Sequence, residues 1–140
     1  MIQFVLDTDI VGLLQHGHPV VTEHVGTHNP EEVATTIITV EEQLSGWYTL
    51  LRRARTASQL VPVYQRMAET VRFLASLPIL SFTDAAAEVY EQFQKKRPRT
   101  GRMDLRIASI AASNNATLVT RNLGDFKDID GLAVEDWSST

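Results

Sequence analysis

The sequence predicts a single α/β domain with a mainly parallel sheet of four to five strands flanked by helices. Short runs of β-branched and apolar residues alternate along the chain with longer segments in which apolar residues recur at helical spacing. That alternation is typical of sheets whose parallel strands are connected through helices. With 140 residues, 44% of them hydrophobic, the chain can bury one core, and residues 1–140 are predicted to form one domain.

The first third of the chain is predicted to contain two strands separated by two helices. The apolar run Ile2–Leu6 ends at Asp7, as expected for a buried strand that leads into a loop. The helix that follows has apolar residues at helical spacing and is predicted to end at Gly17. A second helix over Pro19–His28 precedes the β-branched segment Val33–Thr39, which is the second predicted strand.

The middle of the chain contains two predicted helices and the third strand. Thr39 with Glu42 three residues later matches a capping box, so the third helix is predicted to begin there. The fourth helix is predicted over Leu60–Leu77, with Pro62 in its first turn, where its missing amide proton is tolerated. Ile79–Phe82 is the third predicted strand.

The last third repeats the alternation of helix and strand. One helix is predicted to begin at Thr83, and the next is predicted to begin at Asp104. Ala116–Thr120 is the fourth predicted strand. Leu132–Val134 is the candidate for a fifth strand, which is why four to five strands are predicted.

The composition excludes several classes of protein. The chain has no Cys, which rules out disulfides, thiolate zinc sites and cysteine nucleophiles, so a bound metal would need oxygen or imidazole ligands. No apolar run approaches the roughly 18 residues of a membrane span. Met1 is followed directly by strand-like residues rather than by a secretory signal, so a cytoplasmic location is expected.

The charge is unevenly distributed. The formal net charge of -4 argues against a nucleic-acid partner, because phosphate contacts need Lys and Arg. However, six of the 13 basic residues lie between Lys95 and Arg106, a stretch in which Asp104 is the one acid. This basic segment, residues 95–106, is interpreted either as a solvated loop or as a nucleic-acid contact, and its position just before Asp104 favours the contact.

Four acids are predicted to meet at one edge of the sheet. Asp7 follows the first strand, Glu42 lies in the helix leaving the second, and Asp125 lies in the loop after the fourth. Asp104 opens the helix that leads into the fourth strand. Each acid alone could be a helix cap or turn residue. Together they favour a site for Mg²⁺ or Mn²⁺, because sites form at the carboxyl ends of parallel strands and clustered carboxylates need a cation.

Four segments contain the acids and their neighbours in order along the chain: Phe4–Asp9, Thr39–Glu42 with Gly46, Gly101–Ala108 and Thr120–Phe126. Together they resemble the signature segments of PIN-domain ribonucleases, and the similarity covers nearly the whole chain. The C-terminal segment Ile129–Trp137 is similar to the ending of the bacterial VapC toxins.

The resemblance implies a PIN-like fold and a Mg²⁺-dependent endoribonuclease that leaves 5′-phosphate and 3′-hydroxyl ends, with Mn²⁺ as a substitute metal. It identifies Asp7 and Asp104 as the principal metal ligands, and Glu42 and Asp125 as catalytic acids that complete the site directly or through water.

Five further residues receive roles from the same resemblance. Thr120 and Asn122 match positions that support the site through hydrogen bonds. The basic residues Lys96, Arg99 and Arg102 are expected to contact the RNA backbone beside the metal.

The resemblance also implies partners. A small antitoxin protein is expected to lay a helix or tail along the grooves formed by residues 41–77 and to place a basic side chain in the acid cluster. Homodimerisation is likewise implied.

Two positions depart from the family pattern. Asp9 stands where the family usually has a neutral residue, often Asn, and some relatives carry the fourth acid at the position of Asn122 rather than Asp125.

Two other functions compete with the nuclease. One is a haloacid-dehalogenase-type phosphatase with Asp7 as nucleophile, which would need Asp9, and the other is an RNA-binding module that does not cleave.

Overall fold

The computed structural model describes residues 1–96 and 98–139. Within these residues five strands form one parallel sheet in the order β3-β2-β1-β4-β5, which confirms the predicted fold class. Strands β2 and β3 are added on one side of β1, and β4 and β5 on the other. The order of the strands therefore reverses between β1 and β4. The strands are β1 (Phe4–Leu6), β2 (Val33–Thr36), β3 (Ile79–Leu80), β4 (Thr117–Val119) and β5 (Val134–Glu135).

Six α-helices occur in the same described residues. Gly17, with φ +75°, follows the first helix as predicted, since glycine adopts this left-handed conformation at little cost. Two short 3-10 turns lie at Pro30–Glu32 and Leu123–Phe126. The helices are α1 (Thr8–Gln15), α2 (Pro19–Gly26), α3 (Ile37–Arg53), α4 (Ala57–Ala75), α5 (Asp84–Lys95) and α6 (Arg102–Ser113).

The helices cover both faces of the sheet. Successive strand residues point to opposite faces, so Val5 and Leu118 pack into the core beneath α5 and α6. Leu6 and Val119 pack on the other face, against α1, α2 and α4. The three central strands, β1, β2 and β4, are therefore largely buried on both sides, as expected for a parallel sheet, whereas the edge strands β3 and β5 are partly exposed.

The third helix begins earlier than predicted. Thr36 is its N-cap and accepts a hydrogen bond from the Thr39 amide at 3.2 Å, so the second strand ends at Thr36. The predicted capping box of Thr39 and Glu42 is therefore wrong. Thr39 is already inside the first turn, where its side chain is buried, and Glu42 lies in the second turn.

The fourth helix also begins before its predicted start. Thr56 caps it by accepting a hydrogen bond from the Gln59 amide at 3.3 Å. Pro62 consequently lies inside the helix rather than in the first turn, where it removes one intrahelical hydrogen bond. In residues 1–96 and 98–139, no helix combines the length and hydropathy needed to cross a membrane.

Candidate acidic active site

Asp7 lies at the point where the sheet reverses its direction of winding. Its amide donates to the Val119 carbonyl at 3.0 Å, which fixes the end of β1 against β4. Its Oδ1 accepts from the Ile10 amide at 3.0 Å, so Asp7 also caps α1. The side chain is nearly enclosed, since Asp7 is 5% exposed. The capping role and a role in the site therefore coexist in one residue.

Burial raises the pKa of Asp7 to about 6. Hydrogen bonds from Thr120, at the end of β4, and from the Ile10 amide act in the opposite direction, while the negative charges of Asp9 and Asp104 raise the pKa further. An ionised Asp7 is thus unfavourable in this environment without a nearby cation.

Asp104 lies at the electrostatic centre of the acids. It is the third residue of α6 and is half-buried. Burial raises the pKa of Asp104, and the negative charges of Glu42, Asp125 and Asp9 add to the shift. Asp104 also acts on Asp7. The structure therefore brings the four sequence-predicted acids within electrostatic reach of one another through Asp104.

Glu42 is held by a threonine that the sequence analysis did not single out. The hydroxyl of Thr8, the residue after Asp7, donates to Glu42 Oε1 at 2.8 Å. Thr8 Oγ1 also lies 3.1 Å from Thr39 Oγ1. Glu41, the neighbouring acid, is exposed. The Asp7-Thr8 pair thus supplies one acid and orients another.

Asp125 lies in the 3-10 turn Leu123–Phe126 and faces Asp104 across a cleft of about 360 Å³. The backbone of Asp125 is tied to the loop before α6, because the Thr100 hydroxyl donates to its carbonyl. The lining residues combine these acids with basic and small residues. They are Arg99, Thr100, Gly101, Asp104, Gly124, Asp125, Lys127 and Asp128.

The predicted basic contacts occupy different places relative to this cleft. Arg99 lines it, together with Lys127, which the sequence analysis did not single out because it is one lysine in a polar loop. Lys96 is exposed at the end of α5, and Arg102 is the exposed first residue of α6. Arg97, also in the basic segment, lies outside the described residues.

The two predicted supporting residues organise the loop after β4. Thr120 is buried, and its Oγ1 accepts from the Asn122 amide at 3.1 Å. The Asn122 side chain donates through Nδ2 to Asp9 Oδ2 at 3.1 Å. Asp9 also lies 4.0 Å from Arg121 Nε. The extra acid of this chain is therefore in contact with the loop that carries Asp125.

The donor chemistry of the site fits Mg²⁺ or Mn²⁺. Every candidate ligand offers oxygen, and the raised pKa values of Asp7 and Asp104 reflect carboxylates that a cation would stabilise. Among residues 1–96 and 98–139, no three Asp, Glu or His side chains are grouped closely enough to form a metal cage. Mg²⁺ is commonly bound through one or two carboxylates with water and substrate phosphate, so such a cage is not required.

Known proteins share both sequence and fold with this chain. No protein-family model matches it. It is 39% identical over 69 residues to Ribonuclease VapC2 of Rickettsia felis, a match that covers 46% of this chain and 52%, about half, of that protein. It is 26% identical over 144 aligned positions to the tRNA(fMet)-specific endonuclease VapC of Salmonella typhimurium, covering 98% of this chain and 99% of the relative.

The fold comparison extends over the whole domain. The crystal structure of VapBC2 from Rickettsia felis, bound to a DNA fragment from its promoter, matches with a TM-score of 0.77 and 27% identity. The match covers 98% of this chain and 99% of that chain. The chain is therefore similar to VapC proteins along its full length, in sequence and in fold.

Proposed function

We propose that the chain is a Mg²⁺-dependent endoribonuclease and the toxin of a toxin–antitoxin pair. The observation that carries the proposal is the placement of Asp7 and Asp104 at the reversal point of the sheet, where burial and the negative charges of neighbouring acids raise both pKa values. Such a pair is unfavourable in a purely structural role and suits a divalent cation. The relatives named as a ribonuclease and an endonuclease support the reaction class.

The four acids are assigned two kinds of role. Asp7 and Asp104, whose pKa values are raised by burial, would hold the metal, with Mn²⁺ as a substitute for Mg²⁺. When bound, the metal supplies a Lewis acid that lowers the pKa of water and offsets charge on the scissile phosphate. Glu42, oriented by Thr8, and the exposed Asp125 would complete the metal site directly or through water, and would position the attacking water.

The proposed reaction is hydrolysis of a phosphodiester bond, in which water attacks phosphorus from the side opposite the leaving 3′ oxygen. The water oxygen forms a bond to phosphorus, and the bond from phosphorus to the 3′ oxygen breaks. The leaving oxygen takes up a proton, so the products are a 5′-phosphate and a 3′-hydroxyl. Arg99 and Lys127, which line the cleft with Asp104 and Asp125, would bind the phosphates on either side of the scissile bond. Lys96 and Arg102, which are exposed at the end of α5 and the start of α6, would extend this contact along the RNA strand.

Cleavage of total RNA tests the nuclease proposal. Wild-type protein and Asp7→Asn are each incubated with Mg²⁺ or with EDTA, and new 5′ ends are mapped. We expect new 5′-phosphate ends with wild type in Mg²⁺, and background in the other three reactions. Equal cleavage by both proteins would overturn the proposal, and so would a stable RNA complex that wild type leaves uncut in Mg²⁺.

We propose an antitoxin as the partner of a second surface. A groove of about 600 Å³ lies between α1, α3 and α4, and Glu42 forms part of it. A basic side chain carried along this groove would therefore reach a carboxylate of the site. The groove is lined by Gly12, Gln15, His16, Glu42, Gln43, Gly46, Trp47, Leu50, Arg66, Glu69 and Thr70.

A hydrogen bond between α3 and α4 forms part of the wall of the groove. Trp47 Nε1 donates to Thr70 Oγ1 at 3.0 Å, which joins α3 to α4 along the groove. Exposed apolar side chains continue along the same helices, among them Tyr48, Val61 and Tyr64. The VapBC complexes among the structural neighbours support an antitoxin as a partner.

Co-expression with the product of a short upstream reading frame tests the partner. We expect the two proteins to copurify and RNA cleavage to be inhibited, with both effects weakened by Trp47→Ala. Copurification unaffected by Trp47→Ala and Leu50→Asp would place the partner elsewhere. We also propose that the chain forms a homodimer, as the family resemblance implies. Sedimentation of the isolated chain checks this, and a monomer at micromolar concentration would contradict it.

A further inference from the structure

Asp9 connects two distant parts of the chain beside the acids. It is the second residue of α1, and its side chain is 53% exposed. Its Oδ2 accepts a hydrogen bond from Asn122 Nδ2 at 3.1 Å, across 113 residues of sequence. The contact joins the helix that begins beside Asp7 to the loop that carries Asp125.

Asn122 in turn sets the position of Asp125. The Asn122 carbonyl accepts from the Asp125 amide at 3.0 Å, closing the 3-10 turn on which the acid lies. Residues 121–125 are all exposed, and Phe126 is the next buried residue. Because little packing fixes this loop, its hydrogen bonds determine where the Asp125 carboxylate lies.

The hydrogen bond matters more than the charge of Asp9. The pair with Arg121 spans 4.0 Å between side chains that are each about half exposed, so solvent screens it and its contribution is small. The charge itself acts unfavourably, because it raises the pKa of both Asp7 and Asp104. The useful property of Asp9 is therefore a fixed hydrogen-bond acceptor facing Asn122.

We propose that Asp9 is a positioning residue that acts through Asn122 to hold Asp125 at the metal site. The inference rests on the proposed nuclease function and adds a fifth acid to it with a different role. Asp9 does not touch the metal or the RNA in this assignment. An asparagine at position 9 offers the same acceptor through Oδ1 and should replace it.

The experiment compares four variants with wild type. Asp9→Ala removes the acceptor, Asp9→Asn keeps it without the charge, and Asn122→Ala removes the donor. Asp130→Ala removes an exposed acid from a nearby loop and serves as the matched control. Two quantities are measured for each: the Mg²⁺ concentration that gives half-maximal RNA cleavage, and the rise in melting temperature caused by Mn²⁺ alone.

Asp9→Ala and Asn122→Ala should each raise the required Mg²⁺ concentration about 10-fold or more, as expected when a residue that orients a metal ligand is removed. The shift in melting temperature with Mn²⁺ should shrink in parallel. Asp9→Asn and Asp130→Ala should stay within about twofold of wild type. The double variant Asp9→Ala/Asn122→Ala should be no worse than either single one, because both remove the same bond.

A further cycle isolates the path through Asp125. In an Asp125→Asn background, Asp9→Ala should cause no additional change in the rise in melting temperature caused by Mn²⁺, a measurement that does not depend on cleavage. An undiminished effect of Asp9→Ala there, or damage by Asp9→Asn equal to that of Asp9→Ala, would overturn the inference. A wild-type protein that binds Mn²⁺ but does not cleave RNA would overturn only the nuclease proposal. The role of Asp9 could then still be tested, because the rise in melting temperature with Mn²⁺ can be compared between wild type and the Asp9 variants without cleavage. A wild type with neither response would overturn both.

Discussion

The Thr8 hydroxyl donates a hydrogen bond to Glu42 Oε1 at 2.8 Å, and this contact connects the end of β1 to the middle of α3. Thr8 follows the buried Asp7 directly, so the orientation of one carboxylate depends on the backbone that places another. Glu42 also lines the groove assigned to the antitoxin. The bond therefore holds Glu42 between the proposed metal site and the groove proposed to bind the antitoxin.

Replacing Thr8 by Val should weaken the site without unfolding the protein. The change keeps the β-branched shape but removes the donor, so Glu42 loses its fixed orientation. We expect the Mg²⁺ concentration for half-maximal cleavage to rise about 10-fold. Thr49→Val is the control, because the Thr49 hydroxyl donates to a carbonyl of its own helix on an exposed surface. Equal effects of the two variants would refute a specific role for Thr8.

Asp7→Asn should make the protein more stable in EDTA at pH 7.5 while abolishing cleavage. The pKa of Asp7 is raised from 3.8 to about 6, so the folded state binds a proton more tightly than the unfolded state. Stability is therefore lost as the pH rises from about 4 through 6. At 1.36 kcal/mol per pKa unit the gain from Asp7→Asn is at most about 3 kcal/mol.

Urea unfolding of both proteins at pH 7.5 and at pH 3.5 checks this prediction. The gain should be present at pH 7.5 and should disappear at pH 3.5, where Asp7 is protonated in both states of the wild type. Asn is also a good N-cap, so the cap on α1 is preserved. An Asp7→Asn protein less stable than wild type at pH 7.5 would contradict the cost assigned to the buried carboxylate.

The metal requirement should depend on pH. Protons and Mg²⁺ compete for Asp7, whose pKa is about 6, and for Asp104, whose pKa is also raised. The Mg²⁺ concentration for half-maximal cleavage should therefore rise steeply as the pH falls below 6 and change little above 7. It is measured as a series of Mg²⁺ titrations between pH 5 and pH 8. A requirement that does not vary over this range would show that Asp7 takes no part in binding.

The basic residues that line the cleft should contribute more to RNA binding than the basic residues outside it. RNA binding is measured with the Asp7→Asn protein over a range of salt concentrations, so that cleavage does not interfere. Arg99→Ala and Lys127→Ala should each reduce the slope of log affinity against log salt by about 0.7, the value for one lost phosphate contact on a single strand. Arg102→Ala should reduce it less. The reverse order would move the path of the RNA away from the cleft.

The alternation of strands and helices was predictable from sequence because each element leaves its own periodic signal. The ends of the elements were harder to predict, because Thr36 and Thr39 are both good caps and only tertiary packing distinguishes them. Burial of Thr39 beside Thr8 favours the earlier start of α3. A similar competition shifted the start of α4 to Thr56.

The acids of the site were accessible to sequence reasoning because strand ends in a parallel sheet meet at one edge. Their supporting contacts were not. The hydrogen bond between Asp9 and Asn122 spans 113 residues and leaves no local pattern, and the place of Lys127 beside Arg99 depends on how two loops fold together. Such contacts depend on tertiary geometry that neither spacing nor composition encodes.

The position of β4 between β1 and β5 has a consequence for biosynthesis. A ribosome-bound chain that ends before residue 117 possesses Asp7, Glu42 and Asp104 but lacks the strand that closes the sheet beside Asp7. It also lacks Thr120 and Asp125. An incomplete polypeptide of this kind would lack the assembled acidic site, so the proposed nuclease activity would arise only after β4 and the loop that follows it have folded against β1.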